Sequence, residues 1–198
     1  EALGAAIAGA RAIHMKGFNL TMPHKVRVIP FLDGITNAAR IIGAVNTVYE
    51  ENGRYIGENT DGKGFVEAMK MQGAPIDGKK IVLLGAGGAG KAIGVECALA
   101  GARHITIINR NRARGEELAR AIADNTPCAA AYRPWEGTVR IPDCDILVNA
   151  TCVGLAPETE QKPDIDYGGI RPDMGHSDVV FNPEWPPFLR EARARGAK

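Results

Sequence analysis

The sequence predicts an α/β fold, a doubly wound parallel sheet preceded by a smaller α/β lobe. Three observations carry this. Ile81-Val82-Leu83-Leu84 is an unbroken apolar run, the pattern of a strand buried on both faces of a parallel sheet, and it runs straight into glycines at 85, 87 and 90. The small, helix-competent run from Lys91 to Ala100 follows, closed by Gly101, and His104 to Ile108 completes a βαβ unit of about 30 residues. Asp145 to Ala150 and Ser177 to Phe181 then read as two further strands of the same sheet.

Taken in order, Ala2 to Ile13 is alanine-rich with apolar residues at helical spacing (Leu3, Ile7, Ala10) and predicts a helix. Gly17 to Met22 alternates apolar and polar residues as a half-buried strand does, Pro23 stops it, and His24-Lys25 falls at its C-terminal exit. Short helical pieces are expected at Val26 to Leu32 and Thr36 to Ile42. A strand is expected over Gly43 to Tyr49, then a turn at Glu51 to Arg54 and a hairpin partner through Gly57. The polar loop Glu58 to Gly62 precedes an amphipathic helix, Gly64 to Met71, with Asp61 where an N-cap would stand. Gln72 to Lys79, with Gly73, Pro75 and Gly78, reads as a linker, so the lobes are set at 1–72 and 73–198. Beyond the βαβ unit the reading gives a helix at Ala113 to Ala123, with Glu116 and Arg120 spaced as an i,i+4 pair. A third strand is expected at Pro127 to Ala131, irregular chain at 133–142 and 157–174, and a final helix at Phe188 to Arg195.

Composition narrows the function. Of 198 residues 45% are hydrophobic and 24% charged, with a net charge of +1, as in an ordinary globular protein with no electrostatic case for nucleic acid or an anionic membrane. No apolar run approaches bilayer-spanning length and the start lacks a signal-peptide pattern. Cys97, Cys128, Cys144 and Cys152 are scattered without a C-x-x-C pair, and His14 and His24 show no metal-ligand spacing. A cytoplasmic protein with neither disulfide frame nor metal site is expected.

The glycine pattern carries chemistry because it lies between a strand and a helix. Gly85 lets the chain turn sharply, Gly87 lets the backbone approach a pyrophosphate, and Gly90 lets the helix lie close on the strand. The anion then sits on free N–H groups at the helix N-terminus. This is the signature of a Rossmann-like dinucleotide site. About 20 residues on, an NAD site usually carries a carboxylate for the ribose 2′-hydroxyl. Here Asn109 stands there, followed by Arg110, Asn111, Arg112 and Arg114. Guanidinium groups bind phosphate by paired hydrogen bonds, so the pattern predicts NADP, with NAD as the alternative cofactor.

In the first third, Lys25 and Asp61 are the candidates for proton chemistry. Reducing a ketone by hydride transfer leaves an alkoxide that a lysine can protonate, with a carboxylate to hold it and a substrate hydroxyl. Read alone, Lys25 fits a surface lysine better than a catalytic one, and Asp61 fits a helix cap better than a catalytic partner. Asn46 is polar where the strand pattern calls for an apolar residue, which favours a ligand contact.

These stretches resemble the shikimate dehydrogenase family. Gly17-Phe18-Asn19-Leu20-Thr21-Met22-Pro23-His24-Lys25 is similar to its G-x-N-V-T-x-P-x-K segment, Gly43 to Thr47 to its G-A-V-N-T, and Asn59 to Gly62 to its N-T-D-G. Gly85 to Ala89 matches its G-A-G-G-A, Asn109-Arg110 the start of its N-R-T, and Asn149-Ala150-Thr151 its N-A-T. The resemblance implies reversible NADP-linked reduction of the small molecule 3-dehydroshikimate to shikimate, or quinate chemistry with NAD, by a monomer or homodimer. It implies Lys25 as general acid/base and Asp61 as its partner, with Asn19, Thr21 and Asn46 on further substrate oxygens. The cofactor would lie on Gly85, Ala86, Gly87, Gly88 and Ala89, its 2′-phosphate on Asn109, Arg110 and Arg114 with Asn111 and Arg112 beside them, and its nicotinamide near Thr151, Cys152 and Val179. The sequence departs from the family at Phe181, where a tyrosine is usual, and at Asn111, where threonine is. It also lacks the family's serine-containing first strand and its closing G-x-x-M-L-x-x-Q helix, which predicts a trimmed chain, or else a nucleotide-binding relative without turnover.

Overall fold

The computed structural model describes residues 2–197. It contains two sheets joined through helices. The first lobe runs α1 (Ala2–Ala12), β1 (Gly17–Asn19), α2 (His24–Arg27), a 3-10 turn (Ile29–Phe31), β2 (Gly34–Ile35), α3 (Asn37–Ile42), β3 (Thr47–Glu51), β4 (Arg54–Glu58) and α4 (Asp61–Met71). Its four strands lie in the order β1-β3-β4-β2, with β2 parallel to β4 and the other pairs antiparallel. Asn52 and Gly53 both take positive φ at the β3–β4 turn, matching a tight hairpin.

The second lobe runs β5 (Lys80–Leu84), α5 (Gly88–Leu99), β6 (His104–Asn109), α6 (Arg112–Asn125), β7 (Ala129–Pro134), β8 (Ile146–Asn149), a 3-10 turn (Tyr167–Gly169), β9 (Gly175–Asp178) and α7 (Pro187–Ala194). All five strands are parallel, in the order β7-β6-β5-β8-β9. The order reverses between β5 and β8, and open α/β sheets bind ligands in the crevice outside the strand C-termini at such a point. Ile81, Leu83, Ile105, Ile107, Ile146 and Val148 face α5 and α6 in one core, while Val82, Leu84, Ile108 and Leu147 face α7 and the 3-10 segment in another.

The lobes share apolar surface through two helices. Ala38 and Ile42 of α3 and Met69 of α4 belong to the core under α5, whereas Ala39 of α3 packs with Val28, Val45, Val48 and Tyr55 of the first lobe. No helix among the described residues is long and apolar enough to cross a membrane.

Several boundaries differ from the sequence reading. Strand β1 ends at Asn19 rather than Met22, and β3 begins at Thr47 rather than Gly43, because Val45 and Asn46 turn their backbone N–H groups to Lys25 and Glu58 carbonyls. Residues 24–31 divide into a helical turn and a 3-10 turn, and β2 lies where only a break was expected. Helix α4 starts three residues earlier than predicted, so Asp61 is its first residue and not its cap. Helix α6 begins at Arg112, and its i,i+4 ion pair is Arg112–Glu116, 2.7 Å, not Glu116 with Arg120.

Candidate active site

The glycine turn behaves as its spacing requires. Gly85 sits at φ 102°, a conformation costly for any other residue, and a side chain there would meet Thr151 Cγ2 at 2.9 Å. A Cβ on Gly90 would lie 2.3 Å from the Gly85 carbonyl oxygen, so the turn and the first turn of α5 are in backbone contact. Gly87 and Gly88 differ from both: a Cβ at either meets nothing within 4 Å. They border open space, which is what close approach of a phosphate demands. Gly87 is the N-cap of α5 and no side chain caps this helix, leaving first-turn N–H groups available to an anion.

A cavity of about 460 Å³ opens at this point, lined by Gly85 to Ala89, Asn109, Arg110, Arg114, Thr151, Cys152 and Val179, with Phe181 at its edge. Asn109 has its side-chain groups engaged within the protein: Oδ1 accepts the Ala86 N–H at 3.1 Å and Nδ2 donates to the Asn111 carbonyl at 2.7 Å. It therefore ties the glycine turn to the end of β6. Asn111 caps α6, its Oδ1 accepting the Arg114 N–H at 3.0 Å, and it does not line the cavity. Arg112 is absent from the lining too, its guanidinium held by Glu116. Two guanidinium groups of the three, Arg110 and Arg114, remain for a phosphate. The open glycines, the uncapped helix and this pair of arginines fit a phosphorylated dinucleotide.

Lys25 and Asp61, 36 residues apart, meet: Lys25 Nζ donates to Asp61 Oδ2 at 2.7 Å. Lys25 is placed by α2, whose end is pinned by the Val45 N–H on the Lys25 carbonyl at 2.8 Å. The second carboxylate oxygen of Asp61 accepts from Asn46 Nδ2 at 2.8 Å. Asn46 is 7% exposed, and its Oδ1 accepts the Thr60 N–H and the Thr47 hydroxyl, both at 2.9 Å. The polar residue that looked out of place in a strand is thus the group that aims the carboxylate. Buried Asn59 accepts the Asp61 N–H at 3.2 Å and donates to the Ala44 carbonyl, so the whole Asn-Thr-Asp stretch is tied to Gly43–Thr47. Asn19 donates to Thr47 Oγ1 at 3.3 Å, and exposed Thr21 flanks α2 with its carbonyl on the His24 N–H.

The lysine–carboxylate pair does not line the nucleotide cavity, but it is coupled to it. A Cβ on Gly62 would lie 2.2 Å from the Ala92 carbonyl oxygen, so α4 begins in backbone contact with α5 one turn in from Gly88. Sequence reasoning missed two participants, Asn59 and Asp178. Asn59 lies in the Asn-Thr-Asp-Gly stretch, but its burial depends on the fold and not on local pattern. Asp178 ends β9 beside Val179, with its carboxyl on Asn149 Nδ2 at 3.0 Å.

Comparison with known proteins agrees with this arrangement. Residues 1–48 match the family described as the shikimate dehydrogenase substrate binding domain, and residues 67–155 match shikimate / quinate 5-dehydrogenase. Shikimate dehydrogenase (NADP(+)) of Desulforamulus reducens is 45% identical over 198 residues, 98% of this chain and 68% of that protein. Among solved structures, the ligand-free 5-ketofructose reductase of Gluconobacter sp. strain CHM43 superposes with a TM-score of 0.94 at 44% identity, covering 99% of this chain and 70% of that one. Shikimate 5-dehydrogenase of Listeria monocytogenes, in complex with shikimate and NAD, gives 0.91 at 34% identity over the same shares of the two chains, 99% and 70%. With the six motifs in order, the two lobes in place and relatives at this level of identity, the chain belongs to the shikimate dehydrogenase family.

Proposed function

We propose that the chain catalyses the reversible NADP-linked interconversion of 3-dehydroshikimate and shikimate, with residues 1–72 presenting the substrate and 73–198 the cofactor. The observation that carries this is the 2.7 Å Lys25–Asp61 pair standing one helix contact away from an open, arginine-lined nucleotide cavity. Bound NADPH supplies a hydride to the substrate carbonyl. The Lys25 ammonium gives its proton to the developing alkoxide, and in the reverse direction its amine takes the proton from the hydroxyl. Asp61, aimed by Asn46, holds the ammonium and accepts from a neighbouring substrate hydroxyl. Asn19 and Thr21 receive further ring oxygens. Arg110 and Arg114 hold the 2′-phosphate, and Thr151, Cys152 and Val179 form the wall at the nicotinamide end. Closure of the cleft between the lobes excludes water from the transfer. The scattered free thiols of Cys97, Cys128, Cys144 and Cys152 suit a reducing compartment, so we place the protein in the cytoplasm.

A direct assay is reduced-nicotinamide absorbance with shikimate and NADP. Lys25→Ala should lower kcat by about 10²–10⁴-fold while leaving NADPH binding, read by fluorescence, unchanged. Undiminished turnover by this variant overturns the role. The likeness to 5-ketofructose reductase supports a second reading in which the same machinery reduces a ketosugar. Turnover of 5-ketofructose faster than shikimate decides for it.

A further inference from the structure

One carboxyl at the edge of the nucleotide cavity has no part in the proton chemistry above. Asp178, the last residue of β9, is half-buried, and its Oδ1 accepts the Val180 N–H at 2.9 Å and Asn149 Nδ2 at 3.0 Å. Its Oδ2 is buried with no hydrogen-bond partner. Asn149 ends β8, is fully buried, and its Oδ1 accepts both the Thr151 N–H, 3.2 Å, and the Thr151 hydroxyl, 2.7 Å. The Val153 N–H donates in turn to Thr151 Oγ1 at 3.1 Å. One continuous chain of hydrogen bonds therefore links residues 151–153, after β8, to residues 179–180, after β9. Thr151, Cys152, Val179 and Val180 are the same residues that line the cavity wall.

We propose that Asp178 is a positioning residue, which through Asn149 locks the two loops forming one wall of the cofactor cavity, so that cofactor affinity depends on the acceptor oxygen it supplies. The geometry assigns it no contact with the reacting atoms. Burial pushes this carboxyl up to about 6, against the two hydrogen bonds that lower it. Nearby titratable groups include His176, two residues back on β9 with Nδ1 against the Met174 carbonyl, and Tyr167, whose hydroxyl is on the Pro163 carbonyl and beside which Glu191 of α7 and Arg195 at its end also stand. Among the described residues none of these forms an ion pair with it. Ionisation above that range leaves the charge on Oδ2 without a donor, which works against the closed wall.

The inference rests on the dehydrogenase reading only in taking NADPH as the ligand. The test compares the whole chain with Asp178→Ala and Asp178→Asn by NADPH fluorescence titration and by amide hydrogen exchange. The alanine variant should bind NADPH roughly tenfold more weakly, as expected when a charge-capable hydrogen-bonding hub is removed. It should also exchange faster at both 151–153 and 179–180, with β5 still protected. The asparagine variant should restore affinity to within about twofold of the native chain, since an amide oxygen keeps both acceptor roles. Between pH 5.5 and 7.5 the native chain should lose affinity that the asparagine variant keeps; the cofactor 2′-phosphate titrates in both and cancels. Native affinity in the alanine variant, faster exchange at 179–180 alone, or no rescue by asparagine overturns the proposal. A native chain that shows these differences yet does not turn over shikimate refutes the dehydrogenase reading instead.

Discussion

Asp61 is held at both carboxylate oxygens, by Lys25 on one side and Asn46 on the other, and that double hold distinguishes it from the helix cap its position suggests. A cap oxygen would turn inward to the backbone N–H groups of its own helix; this one makes no such bond, and the N-cap position belongs to Thr60. The distinction was not legible in the sequence, because it depends on a strand pairing, Thr47 opposite Glu58, that brings Asn46 beside Thr60. Local pattern did show that Asn46 was anomalous; only the fold shows what it serves. The arginines teach the same lesson with the opposite sign. Charge pattern offered three equivalent guanidinium groups, but α6 begins at Arg112, so Glu116 falls one turn along and captures it. Accordingly Arg110→Ala and Arg114→Ala should each raise the KM for NADPH about tenfold with little change for NADH, and Arg112→Ala should leave both within about twofold. Paired steady-state kinetics with the two cofactors check this.

At the scale of elements, the parallel sheet and its glycine turn were readable because buried parallel strands have an unmistakable apolar run and the turn chemistry is narrow. The first lobe was harder, since its strands are two to five residues long and β2 has only Gly34 and Ile35 to announce it. The seating of α4 on α5 is the element contact that matters most for the site, and Gly62 permits it. Gly62→Ala places a methyl 2.2 Å from the Ala92 carbonyl oxygen, a backbone clash that no rotamer relieves. Overpacking of this kind costs about 1–3 kcal/mol, so the variant should melt several degrees below the native chain. It should also lose kcat more than NADPH affinity, since Asp61 is displaced and the glycine turn is not. Thermal melts with single-substrate kinetics separate the two effects.

Across the whole molecule, the interface between lobes buries a carboxyl as well as apolar surface. Glu96 of α5 is 7% exposed against α4, with Oε1 unpartnered, and burial holds its carboxyl above the usual carboxylate range, partly offset by Lys63. The folded chain thus keeps this proton at pH values where the unfolded chain has released it. Stability is lost as pH rises from the unfolded value toward the raised folded one. Glu96→Gln removes that loss, so its melting temperature relative to the native chain should climb through the weakly acidic range and then level off. A flat difference across that range would show that the Glu96 carboxyl titrates alike in the folded and unfolded chain.

The contact at Gly62 has one more consequence. It presses the start of α4 against the nucleotide-binding helix, while Asn46 and Asn59 tie the same stretch to the first lobe. Lys25 stands on that lobe too, since Val28 anchors its helical turn among Val45, Val48 and Tyr55. The 2.7 Å bridge between Lys25 and Asp61 is therefore a brace within one body whose carboxylate end leans on the other. Any slip of α4 along α5 reaches the carboxylate before the lysine, so the proposed proton transfer should falter ahead of cofactor binding.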